Sequence, residues 1–241
     1  MSLEVRLALA LAVFVFHNTN ALALDTMSLV IIKSSVPDFR PGQIVESKDS
    51  FDLPKGASMV LVSESGKRLT IQGPHNGPLK ATMNPIDNLS LLETLSKLVT
   101  PTEPGTHLIA VMRAPGEPSP ADPWVIDIER GSDKCVLSDA PVILWRAKST
   151  YANTFDLTNL RDQSSAAIRW PASSSTLEWP LGVTLSDGDS YRVELKEIRV
   201  AKKFTLHFVP TDLPTDAYKA AWMANKRCLD QGRQLLLGII R

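Results

Sequence analysis

Cysteine and histidine are the side chains in this sequence with the widest chemical reach. The 241-residue chain holds 2 Cys and 4 His. Cys135 and Cys228 lie 93 residues apart, and neither has a CxxC or CxxH neighbour that would suit zinc. Two cysteines in an exported chain normally pair, so a structural disulfide is expected. Chain-entropy arithmetic gives such a loop roughly 4–5 kcal/mol. His75, His107 and His207 are mutually distant in sequence, so no H-x-x-x-H metal pair exists. A hydrolase would have to assemble one of them with a nucleophile or acid in three dimensions. Gly66-Lys67 is followed by Arg68 rather than Ser or Thr and fails as a phosphate loop. G-x-S-x-G, S-x-x-K and G-x-G-x-x-G are lacking. Asp187-Gly188-Asp189 lacks the remaining ligands of a calcium loop and reads as a tight turn. No catalytic residue, metal ligand or cofactor site is therefore assigned, and no cofactor is expected.

Three residues qualify for recognition. Trp170-Pro171 and Trp179-Pro180 bracket a short polar stretch. Exposed side by side, the two indoles would stack on sugar rings or grip a peptide; the alternative is packing at the rim of a sandwich. His75, in His75-Asn76-Gly77, stands in a Gly/Pro-rich loop as an exposed polar cluster, with plain turn chemistry as its alternative.

The elements that would position these residues begin after an export segment. Arg6 precedes an unbroken apolar run from Leu7 to Phe16, a polar stretch follows, and Ala21-Leu22-Ala23 meets the small-x-small cleavage rule. Cleavage between Ala23 and Leu24 is expected, with an uncleaved anchor as the alternative. The run is too short to span a bilayer, which takes about 20 residues, and no stable membrane insertion is expected once the signal is removed. Lys+Arg and Asp+Glu are 26 each. The segment removes one of each, so the mature chain stays neutral, which argues against nucleic acid as a partner. Hydrophobic residues at 44% and charged residues at 22% are ordinary for a folded chain.

Ser28 to Val36, Ala57 to Val62 and Arg68 to Gln72 read as strands, the last two forming a hairpin through a Gly66-bearing loop. The string Leu53-Pro54-x-Gly56-Ala57-Ser58, then Leu61, Ser65-Gly66-Lys67, Leu69-Thr70 and Gly73-Pro74, resembles FecR-type periplasmic segments over about 40 residues. The whole chain also resembles uncharacterised exported proteins of proteobacteria. These resemblances imply an exported bacterial β module and bring no activity with them.

Pro85 to Val99 carries helical spacing, with Asp87 near its start and Lys97 near its end. Thr106 to Met112 is a candidate strand, and Ala114 to Pro123 a Pro-rich linker. From Trp124 on, short strands alternate with turn clusters, as in a sandwich. Leu185-x-Asp187-Gly188-x-x-Tyr191-x-Val193 resembles the tyrosine corner of immunoglobulin-like domains. The tail is helical, with Thr211 or Thr215 as cap and Cys228 on its apolar stripe.

The expected architecture is mainly β. It comprises a signal peptide at 1–23, a small N-terminal β module (FecR-like) at 24–83, and a helix with Pro-rich linker at 84–123. An immunoglobulin-like β-sandwich at 124–210 and a C-terminal helix at 211–241 complete it. The function expected is that of a non-catalytic periplasmic or secreted protein that binds an envelope protein, a peptide or a glycan. The alternative is an envelope hydrolase built around a histidine.

Overall fold

The first strands of the chain are apolar at nearly every position because both faces of their sheet are covered. The computed structural model describes residues 26–79, 89–100, 119–147, 151–196 and 200–239. The expected signal segment with its Ala23–Leu24 cleavage point, the candidate strand at 106–112 and His107 lie outside the described residues. Strands β1 (Ser28–Ser34), β2 (Ile44–Glu46), β4 (Ser58–Ser63) and β5 (Arg68–Gln72) form an antiparallel sheet in the order β2-β1-β4-β5. One face, with Leu29, Ile31, Met59 and Leu61, packs on Phe51 and Leu53 of β3 (Phe51–Leu53). The other, with Val30, Ile32 and Val62, packs on helices. Two-sided burial turns the usual in/out alternation into a continuous apolar run. The hairpin between β4 and β5 closes through a turn in which the Gly66 N–H donates to Ser63 O at 2.8 Å. Gly66 takes φ +74°, a left-handed conformation that glycine adopts without penalty. Residues His75–Gly77, expected as a loop, form β6 and pair with β3.

Helix α1 (Leu89–Val99) buries Leu91, Leu92, Leu95 and Leu98, the three- and four-residue spacing of an amphipathic stripe. The tail is two helices rather than one: α2 (Asp216–Asn225) and α3 (Leu229–Ile239). Thr215 caps α2 by accepting from the Tyr218 N–H. The break falls at Arg227, whose φ of +65° ends α2 while its N–H donates back to Ala224 O. Gly232 lets α3 cross α2 closely, since a Cβ there would lie 3.0 Å from Ala220 O. The three helices share one core with the N-terminal sheet, Val209 and the cystine.

The C-terminal half is a β-sandwich. Strands β7 (Ile126–Asp127), β9 (Ile143–Trp145) and β12 (Thr176–Glu178) make a sheet in the order β12-β9-β7. It faces a five-stranded sheet of order β11-β10-β13-β14-β8. Those strands are β8 (Lys134–Leu137), β10 (Asn153–Asn159), β11 (Ser165–Trp170), β13 (Ser190–Leu195) and β14 (Val200–Val209). β7 runs parallel to β9 and β8 parallel to β14; the other pairs are antiparallel. Ile126, Leu144, Phe155, Leu157, Trp170, Val193 and Leu206 fill the space between the sheets. The tyrosine corner is present: the buried Tyr191 hydroxyl donates to Thr184 O at 3.0 Å and accepts from the Ser186 N–H at 2.9 Å. No described helix is long and apolar enough to cross a membrane.

Candidate functional site

The outer face of the five-stranded sheet carries polar side chains in ordered rows. Alternation along each strand builds it. Phe155 and Leu157 point into the sandwich, so Asp156 and Thr158 point out; Tyr191 and Val193 point in, so Arg192 and Glu194 point out. On β11, Trp170 is buried, while Ser165, Ala167 and Arg169 are exposed. Register turns these positions into rows across the sheet. Ala167, Asp156, Glu194 and Ala201 form one row, and Ser165, Thr158, Arg192 and Lys203 form the next.

Each row sets like charges side by side, Asp156 against Glu194 and Arg192 against Lys203. Direct opposition of like charges in a sheet is unfavourable. A diagonal ion pair between neighbouring strands offsets part of that cost, with Lys196 Nζ 3.1 Å from Asp156 Oδ1. The short side chain of Ala167 leaves the acidic row accessible from the side of β11. The result is a shallow concavity of about 260 Å³ lined by Asp156, Thr158, Ser165, Ala167, Arg192 and Glu194.

The two edges of this sheet end differently. At β8 the Cys135 N–H donates to Gln231 Oε1 at 2.8 Å, and Gln231 Nε2 donates to Cys135 O at 2.7 Å. A side chain from α3 thus takes the place of a neighbouring strand. At the other edge lies β11. The Asn159 N–H donates to Ser164 O at 2.9 Å, which fixes the phase of the β10–β11 ladder. Bonded residues alternate, so Ala166, Ile168 and Trp170 bond to β10, and the N–H and C=O of Ala167 and Arg169 face away from the sheet. The 182–184 loop passes the start of the strand, where the Thr184 N–H donates to Ser164 Oγ.

The residues expected from the sequence for recognition form no common exposed surface. Trp170 is 1% exposed, its indole N–H donates to Ser174 O, and the Arg146 guanidinium covers its ring. Its face is closed to a ligand, because it shares the inward side of β11 with Ile168. Trp179 is half-buried, donates to Val183 O at 2.9 Å and meets Tyr191 edge-on. The two indoles therefore serve the sandwich rim and make no joint stacking platform. His75 lies in the N-terminal module, its Nε2 3.1 Å from Gly77 O. His207 lies on β14, in register with Cys135. The cystine is formed, with Cα atoms 6.0 Å apart and both residues buried.

Sequence reasoning missed Lys134, which opens a strand of only four residues after a turn. Lys134 is 4% exposed, and its Nζ donates to Ser132 Oγ at 2.9 Å. Burial pushes its ammonium down to about 8, against the pull of Asp127 and Asp230. Arg130 stands between those carboxylates, 3.7 Å from Asp127 and 3.1 Å from Asp230. The cluster ties the sandwich to α3. No group of His, Cys, Asp and Glu able to hold a metal ion occurs among the described residues. No family model, curated protein or solved structure matches the chain, so its functional reading rests on this geometry.

Proposed function

We propose that the chain is a non-catalytic binding protein of the periplasm or the extracellular space. Its partner is an envelope protein, a peptide or a glycan, met through the outer face of the sandwich. The observation that carries the reading is the concavity on that face, where like-charged residues stand in register and Lys196 pairs with Asp156. A ligand bearing the complementary charges would relieve them. The buried cystine supports an oxidising compartment, as does the apolar N-terminal run with its cleavage site.

The hydrolase reading needs a histidine beside a nucleophile or an acid. Of the three candidates, His75 belongs to the strand pair β3–β6 and His207 to β14. The test is crosslinking of the protein in its native envelope, followed by mass spectrometry. A specific partner crosslinked to residues of β10, β11 or β13 is the expected result. Absence of any specific partner, with hydrolytic turnover lost on replacing His75, His107 or His207, would overturn the reading.

A further inference from the structure

We propose that the edge of β11 takes an extended peptide as an added antiparallel strand, with an acidic residue, any residue, then a basic residue in its sequence. The inference rests on the binding reading above and commits that surface to one ligand class. Three observations converge. The edge residues Ala167 and Arg169 direct their peptide groups outward. The opposite edge of the same sheet is stopped by Gln231, whereas β11 carries only Arg169 as a charged guard within the strand. The concavity adjoins this edge, with Ser165 and Ala167 of β11 in its lining.

The charges fix the pattern. A residue opposite Ala167 on an added strand would point to the outer face and lie two strand spacings, about 10 Å, from β10. A lysine or arginine there reaches across the alanine toward Asp156 and Glu194. In an antiparallel strand, the residue two positions earlier stands opposite Arg169, where a carboxylate is complementary. The residues between them fall on the side of the half-buried Ile168, so apolar residues suit those places. Main-chain hydrogen bonds hold the peptide, and the two charges set its direction.

The experiment uses the full oxidised chain and two capped, dye-labelled peptides, TVEVKVT and TVKVEVT, read by fluorescence anisotropy. The first should bind at least tenfold more tightly. N-methylation of its Glu and Lys amides should abolish binding, as should Ala167→Pro, which removes the outward N–H. The methylated peptide gives the same test with an unaltered protein, should that variant fail to fold. Asp156→Asn with Glu194→Gln should bring the two peptides to within about twofold of each other. Equal binding of both peptides, preference for TVKVEVT, indifference to N-methylation, or no binding would each overturn the inference. An envelope crosslink to β10 or β13 on the outer face would then leave the broader binding reading standing, and the loss of both would remove the two together.

Discussion

Gln231 pairs with the backbone of Cys135 as a strand would, although it belongs to a helix. Its amide accepts from the Cys135 N–H and donates to the Cys135 carbonyl, and its nitrogen also donates to Pro123 O at 2.7 Å. One side chain thereby satisfies several peptide groups at a place where water is excluded. Gln231→Leu keeps the bulk and removes every one of these bonds. Leaving buried backbone groups unpaired costs about 1–3 kcal/mol each, so a loss of at least about 2 kcal/mol is expected in chemical denaturation. Gln231→Glu should also destabilise, because a carboxylate cannot donate to the Cys135 carbonyl.

Tyr191→Phe tests the corner. The hydroxyl serves Thr184 O and the Ser186 N–H from a ring that is fully buried. Its removal should cost about 1–3 kcal/mol, seen as a lower melting temperature. Tyr151→Phe, at a residue 77% exposed, should leave the transition in place.

Lys134 makes stability depend on pH in a stated direction. Its folded-state value of about 8 lies below the unfolded value of 10.5. Between those values the unfolded chain binds the extra proton, so stability rises with pH from about 8 toward 10.5. The full relief is about 3 kcal/mol at 1.4 kcal/mol per pH unit. Burial shifts Tyr191 upward from 10.0, the opposite case, so its contribution is lost as pH climbs beyond that value. Denaturant titrations at pH 7, 8, 9 and 10 should show wild type gaining stability over the last three. Lys134→Met should be more stable than wild type at pH 7 and flat across that interval.

The cystine predicts equal and non-additive losses. Cys135→Ala and Cys228→Ala should each lower stability by about 4 kcal/mol, and the double variant by no more than either one. A double variant that loses the sum would show that the two sulfurs contribute separately.

Much of the fold was legible because burial leaves a pattern in the residue types. β1 and β4 announced themselves as unbroken apolar runs, α1 by its leucine spacing, and the corner by Asp187-Gly188 ahead of Tyr191. The cystine followed from count and compartment. The short strands β2, β3, β6 and β8 were not legible, since each has only three or four residues and is specified by the partner it meets. His75 to Gly77 therefore looked like a turn. Trp170 carried two readings by residue type, recognition or packing, and the alternation of Ala166, Ile168 and Trp170 along one side of the strand decides for packing. The charged rows were hidden for a different reason. Asp156, Arg192 and Glu194 each read as an ordinary solvent position, and only register sets them beside one another.

The double-sided N-terminal sheet also constrains the order of events in folding. Val30 and Val62 share a core with Ala217, Leu235 and Leu236, separated from them by most of the chain. The tip of the β4–β5 hairpin is held in the same way, with the Tyr218 hydroxyl donating to Glu64 O and Arg68 donating to Ile239 O. The earliest strands to emerge thus keep the part of that face that α1 does not cover bare until the last two helices have arrived. Closure on so distant a partner is slow, and during that wait the uncovered part of the nascent sheet is open to association.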